Sequence, residues 1–186
     1  MNIKPHQEFL AAYKPMHKRI AKYCYSVSYG VMESKDLVQE TILVVLQKWE
    51  QIQKKESLPA FMIGTASNLI KSQLRKMQRQ TRLDLEKEAI KKMESKTQNP
   101  ELAYDLHLLL LALEKLSEKE KEGVILYEIS GFTIKEIAEI QQETASAIKT
   151  RLSRSRQKLK QILQDDISEL SPKKSALLLY PLFLAL

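Results

Sequence analysis

Apolar residues recur at three- and four-residue spacing along almost the whole chain, which is the period of amphipathic helices rather than of strands. Phe9 and Tyr13, then Met16, Ile20, Tyr23 and Val27 after Pro15, trace two short helices. Pro15 suits the first turn of the second, where its missing N–H costs nothing. A long helix is predicted from about Ser34 to Gln51, with Ser34 as its N-cap. Another starts near Pro59, carries Phe61, Ile63, Ala66, Leu69 and Ile70 on one side, and continues into a basic run. This defines a first helical bundle over residues 5–82. Residues 83–100 are charge-rich, weakly apolar and end in Asn-Pro, so they read as a linker. A second helical domain, 101–167, opens on a Leu-rich stretch and ends in two helices joined by a tight turn. The chain is thus all-α, with two small helical domains joined by a charged linker. A tail over 168–186 closes in ALLLYPLFLAL, eleven residues that reach only about half-way across a bilayer core. It does not predict stable membrane insertion; docking on the second domain is the first expectation for it, beside binding a partner or serving as an exposed apolar signal for a protease.

The second of the two closing helices changes the picture most. Its twelve residues from Lys149 to Lys160 carry six basic side chains and no acidic one. A short apolar helix, a turn and a basic helix make the layout of a helix-turn-helix DNA reader. Ser146, Lys149, Thr150, Ser153 and Arg154 share one face at i, i+3, i+4, i+7 and i+8, from which side chains reach base edges. Arg151, Arg156 and Lys158 are assigned to phosphates, and Ile137, Ala138, Ile148 and Leu152 to packing the motif. A second acid-free run, Lys71 to Arg82, holds five basic residues. The net charge of +7 over 186 residues fits a polyanionic partner.

No enzyme site assembles. The chain has no Gly-rich phosphate loop, no nucleophile with a matched histidine and no carboxylate–histidine set at metal spacing. His6, His17 and His107 are scattered, and no cofactor is expected. The single cysteine, Cys24, allows neither an intrachain disulfide nor a Cys-based zinc site; flanked by Tyr23 and Tyr25, it reads as a buried structural thiol. The N-terminal residues lack a signal-peptide apolar core, so a cytoplasmic location is expected.

The helix after Ser34 has a broad apolar face, built on Leu37, Thr41, Val45 and Trp49. On its other side Asp36, Gln39, Glu40 and Gln47 surround one apolar residue, Leu43. A polar face with an apolar centre has the anatomy of a protein-binding surface.

Asp36-Leu37-Val38-Gln39-Glu40-Thr41 resembles the DLVQET signature of region 2 in bacterial RNA polymerase sigma factors, in particular the small extracytoplasmic-function (ECF) group. Leu58-Pro59-Ala60-Phe61-Met62, Ala66-Ser67-Asn68-Leu69 and Leu74-Arg75-Lys76 are similar to the continuing region 2 pattern. Leu116-Ser117-Glu118, Gly131-Phe132-Thr133, Glu136-Ile137-Ala138-Glu139-Ile140 and Lys149-Thr150-Arg151-Leu152, followed by Arg154 and Arg156, resemble region 4. The resemblance covers about residues 8–82 and 105–163. It implies a non-enzymatic alternative sigma factor that binds core RNA polymerase and directs initiation at promoter DNA. Asp36, Gln39 and Glu40 would then meet the clamp helices of the polymerase β′ subunit. Asn68, Lys71, Arg75, Lys76 and Arg79 would contact the −10 element, and the basic helix the −35 element. An anti-sigma factor is a further partner that the resemblance suggests. The sequence departs from the family at the helix-turn-helix turn, where Gln141-Gln142-Glu143 replaces a Leu-Gly-Ile type. Losing glycine at a positive φ costs about 1 kcal/mol, and Glu143 stands where an apolar residue would pack. Two other readings are a free-standing helix-turn-helix regulator and a degenerate sigma homologue that binds only protein.

Overall fold

The structure is a computed structural model, and it describes residues 3–52, 54–81 and 109–168. The expected linker at 83–100, His107 and the apolar tail beyond residue 168 lie outside the described residues. All regular structure among the described residues is helical.

Helix α1 spans Ile3–Tyr13 and α2 spans His17–Ser28, with a 3₁₀ turn, Lys14–Met16, holding Pro15 between them. Helix α3 runs Ser34–Gln47. This is shorter than the predicted 34–51, and Ser34 is its first helical residue; Glu33 takes the N-cap position with no side-chain cap bond. Beyond Gln47 the chain tightens into a second 3₁₀ turn, Trp49–Gln51. That turn brings Trp49 into the core, where it meets the Phe9 ring edge-on at 5.5 Å; Phe9 in turn stacks on Tyr13 at 5.6 Å. Helix α4, Leu58–Thr81, carries Pro59 in its first turn, where a missing N–H breaks no helical bond. Helices α2, α3 and α4 pack pairwise around Ile20, Tyr23, Leu37, Met62, Ile63 and Ala66, each with 2% or less of its surface exposed. Burying one of the larger of these, such as Ile20, Leu37 or Met62, is worth about 1.5–3 kcal/mol.

The second half begins with helical residues 109–114 (α5), followed by α6, Glu118–Val124. Ser117 and Glu120 close a capping box at the start of α6, which satisfies two of its orphaned N–H groups. Helix α6 continues into a π-helical turn, Ile125–Ile129, where the Ser130 N–H reaches back to the Ile125 carbonyl at 2.9 Å. Gly131, at φ 72°, then reverses the chain, a conformation that a side chain would strain. Helix α7, Ile134–Gln141, opens on a second capping box, Thr133 with Glu136. Helix α8, Ala145–Ser168, completes the helix-turn-helix. Ile137, Ile148 and Leu152 are buried between α6, α7 and α8, and the half-buried Ala138 packs against them.

The two halves meet directly. Helix α4 packs on α7, and α2 packs on the π turn. Arg19 on α2 donates to Glu136 on α7 at 2.7 Å, and its guanidinium lies 4.0 Å over the Phe132 ring.

Candidate functional site

Three surfaces carry the candidate chemistry. On α3, Leu37, Thr41 and Val45 are fully buried, and the Thr41 hydroxyl is bonded to the Leu37 carbonyl at 2.7 Å. That orientation leaves Asp36, Gln39, Glu40 and Gln47 exposed around Leu43, which is 57% exposed. The face read from periodicity is therefore a solvent face with an apolar centre. Trp49, at its end, belongs to the core.

On α4, burial of Met62, Ile63, Ala66 and Ile70 turns Asn68, Lys71, Arg75, Lys76 and Arg79 outward. Lys71 donates to Glu118 of the second half at 3.1 Å, and Arg75 Nε to the Lys71 carbonyl at 3.2 Å. Both bonds are solvent-exposed, and exposed ion pairs contribute only about 0–1 kcal/mol, so Lys71 can exchange its partner cheaply.

On α8 the basic run divides into two sets. Ser146, Lys149, Thr150, Ser153 and Arg154 all face solvent. Arg151 and Arg156 are instead half-buried against the domain, and Lys158, though exposed, is ion-paired to it. Arg156 pairs with Glu128 at 2.6 Å and sits 5.4 Å from the Tyr127 ring centre. Lys158 pairs with Glu120 at 2.6 Å. The Lys158 ammonium, with the N–H and hydroxyl of Ser117, holds the Glu120 carboxyl down to about 2. The helix thus presents the five residues assigned to base edges, while Arg151 ties it to the end of α7 and the turn, Arg156 to the π turn, and Lys158 to α6.

Arg151 belongs to the altered turn. Gln142 sits at φ 54°, ψ 48°, the left-handed conformation expected where the family carries glycine. Gln141, only 8% exposed, donates to the Lys119 carbonyl at 3.1 Å and to Glu122 at 3.0 Å, and accepts from Arg151 at 2.6 Å. Glu143 accepts from Arg151 and Lys119, both at 2.6 Å. These two cations, Lys119 first, hold the Glu143 carboxyl below the usual carboxylate range. Two of the three departures from the family pattern, Gln141 and Glu143, therefore form one polar network joining α6, α7 and α8, while Gln142 supplies the left-handed turn. Glu143 takes the place of an apolar packing residue by ion pairing. This network was not legible in the sequence, although three consecutive polar residues at a position expected to be partly apolar were its signal.

The contact between the halves uses residues that local patterning did not single out. Burial opposes ionisation of Glu136, but the Arg19 guanidinium and the N–H and hydroxyl of Thr133 outweigh it and lower its pKa. The Tyr23 hydroxyl reaches Glu122 at 3.4 Å; burial, then the Glu122 charge, push its ionisation far above the ordinary phenol range. Cys24 is buried beside them, and burial pushes its thiol up to about 12, which leaves it chemically inert. Among the described residues no cluster of His, Cys, Asp and Glu could hold a metal, and no helix is long and apolar enough to cross a membrane.

The fold and these surfaces define a DNA-binding helix-turn-helix protein with a second helical domain that carries an exposed polar face with an apolar centre. The sigma-70 region 2 family matches residues 10–80, and the sigma-70 region 4 family matches residues 106–159. The chain is 32% identical over 148 residues to the ECF RNA polymerase sigma factor EcfG of Rhodopseudomonas palustris (strain TIE-1), covering 79% of this chain and 80% of that one. Its structure is similar to the sigma factor RpoE of Bartonella quintana, solved in complex with the anti-sigma factor NepR. The TM-score there is 0.60 at 25% identity, over 87% of this chain and 98% of that one. CnrH, solved with the cytosolic domain of CnrY, shares the fold at TM-score 0.61 and 18% identity, over 87% and 90% of the two chains. The chain belongs to the sigma-70 family and, within it, to the ECF group. Sigma factors are transcription initiation factors, not enzymes, and membership carries promoter-specific initiation with RNA polymerase.

Proposed function

We propose that this ECF sigma factor docks on the β′ clamp helices of core RNA polymerase through the exposed α3 face, Asp36, Gln39 and Glu40 around Leu43. Helix α8 then reads the −35 element in the major groove with Ser146, Lys149, Thr150, Ser153 and Arg154. Helix α4 meets the −10 element with Asn68, Lys71, Arg75, Lys76 and Arg79. The observation that carries this reading is the presence, in one chain, of a polar face with an apolar centre and two separate outward basic faces. A free-standing regulator needs only one of the three. The polar network at the turn also favours a working DNA reader over a degenerate one, because it braces the recognition helix with its base-facing side free.

Each interaction has a physical role. Lys and Arg on α4 neutralise phosphates, so that contact weakens steeply with salt. On α8, side chains at base edges supply selectivity, and their orientation depends on the bracing of Arg151, Arg156 and Lys158. Lys71 exchanges Glu118 for a phosphate when the halves separate on polymerase. An anti-sigma partner is part of the proposal, supported by the NepR complex of the Bartonella relative.

The test is co-elution of the chain with core RNA polymerase on gel filtration, beside an Asp36→Ala/Gln39→Ala variant. The variant should lose binding and keep its helical content. Equal binding by both proteins would remove the α3 assignment.

A further inference from the structure

Where the halves meet, one helical turn is out of ordinary register. The turn that α2 packs against, Ile125–Ile129, is π-helical, a rare form whose bonds span five residues rather than four. The Ser130 N–H reaches the Ile125 carbonyl and the Phe132 N–H the Leu126 carbonyl, both at 2.9 Å. With Gly131 as the left-handed residue, an ordinary helix end would carry these bonds to Leu126 and Tyr127 instead. Two buried polar atoms at the same junction, the Ser130 hydroxyl and Arg19 Nε, find no partner among the described residues. Each leaves its lost hydration without a hydrogen bond to offset it. The closed contact is therefore poorly compensated on both of its sides, α2 and the π turn.

The register of this turn matters to α8. Glu128, inside the turn, pairs with Arg156 at 2.6 Å, and the Tyr127 ring beside it lies 5.4 Å from the same guanidinium. Arg151 and Lys158 are fastened elsewhere, to Gln141, Glu143 and Glu120. Relaxing the turn to α removes its extra residue. That carries Tyr127 and Glu128 round the helix axis by a large part of one residue's step, about 100°. Arg156 then loses both partners, while Arg151 and Lys158 keep α8 in place. The contacts that α2 makes here bracket the turn in sequence: the Tyr23 hydroxyl meets Glu122 at 3.4 Å before it, and Arg19 lies 4.0 Å over the Phe132 ring after it. Both are lost when the halves part. A packed turn takes discrete arrangements rather than a continuum of them, so the change is all-or-none.

We propose that the π turn is a register switch set by the packing of the two halves. Closed, it is π-helical and keeps Arg156 on Glu128; open, it relaxes to α-helix and releases Arg156 to a DNA phosphate. The role of Arg156 rests on the reading of α8 as a duplex reader; the change of register does not.

The test uses the full chain and an Arg19→Ala/Tyr23→Phe variant, which removes the α2 contacts and should open the halves, seen as a larger radius of gyration in small-angle scattering. Scalar couplings across hydrogen bonds, measured by NMR on isotope-labelled protein, report the register. The Ser130 amide should couple to the Ile125 carbonyl carbon in the wild type and to that of Leu126 in the opened variant. Duplex binding is followed by fluorescence anisotropy over a salt series, with a labelled duplex of arbitrary sequence. The opened variant should show a logarithmic salt slope steeper by about 0.9, the value of one further phosphate contact. Glu128→Ala, which frees Arg156 without opening the halves, should steepen it equally, and Arg156→Ala should remove the increment from both. Circular dichroism melting checks that each variant folds. The proposal is overturned if the Ser130 coupling stays on Ile125 in the opened variant, or already lies on Leu126 in the wild type. A radius unchanged by the two substitutions overturns it as well, because a poorly compensated contact should yield to them. A wild-type slope in either the opened variant or Glu128→Ala overturns the release of Arg156. Absence of duplex binding by every protein would remove the reading of α8 and the role of Arg156 with it, while the couplings still decide the register.

Discussion

Replacing Gln141 with leucine puts the polar reading of the helix-turn-helix turn at direct risk. Leucine is the family-type residue there, has nearly the same volume, and would suit an ordinary apolar packing site. In the structure, however, the Gln141 amide is 8% exposed and makes three hydrogen bonds, to the Lys119 carbonyl, the Glu122 carboxylate and the Arg151 guanidinium. A bond to a neutral partner is worth about 1 kcal/mol and one to a charged partner about 1.5–3 kcal/mol, non-additively. Gln141→Ala should therefore cost roughly 2–4 kcal/mol, since it also opens a void. Gln141→Leu recovers some apolar burial but still strands a carbonyl and two charged groups, so it should cost roughly 1–3 kcal/mol. The single tryptophan, Trp49, lies in the first half and is blind to this site. The suitable readout is native-state hydrogen exchange of α7 and α8 amides, with urea unfolding followed by circular dichroism as the global measure. Protection in α7 and α8 should fall in both variants, and more in alanine. A Gln141→Leu protein as stable as wild type, or more so, would refute the claim that the network braces the recognition helix.

Gln142→Gly should stabilise the chain modestly, by about 0.5–1 kcal/mol, because relief of a left-handed residue outweighs the added freedom of the unfolded chain; a lower urea midpoint would show that the Gln142 side chain itself matters. Arg19→Ala or Glu136→Gln should loosen the packing of the two halves, seen as a larger radius of gyration in small-angle scattering. The folded pKa of Glu136 is depressed, so its contribution is fully present above the unfolded value of 4.5 and is lost as pH falls from there through the lowered folded value. Wild type and Glu136→Gln should thus differ at neutral pH and converge in that acid window, and a constant difference across it would exclude the ionised pair as the cause. Arg154→Ala should reduce initiation about 5- to 150-fold, corresponding to about 1–3 kcal/mol, on a promoter with the matching −35 base and little on one without it. Arg151→Ala should instead lower thermal stability and depress all promoters alike; the reverse pattern would exchange the two roles.

Helical class, the helix-turn-helix and the exposed polar face of α3 were determined by the sequence itself, because each is a local property. A period of 3.6 residues orients Leu37, Thr41 and Val45 inward and Leu43 outward whatever the helix packs against. Thr133 with Glu136 is a capping box within four residues. Helix ends were less so: α3 stops at Gln47 because the following turn must carry Trp49 onto Phe9, a contact made forty residues away in the chain. Which cations stay free was decided only by tertiary structure. Lys149, Arg151, Arg154 and Arg156 are alike in sequence, yet Arg151 and Arg156 meet Glu143 and Glu128 while Lys149 and Arg154 face solvent. The joining of the halves is of the same kind, since Arg19 and Glu136 are 117 residues apart. Periodicity reports how a helix is turned about its own axis. It carries nothing about the charge that another helix brings against it, and at those contacts a basic residue becomes either a brace or a reader.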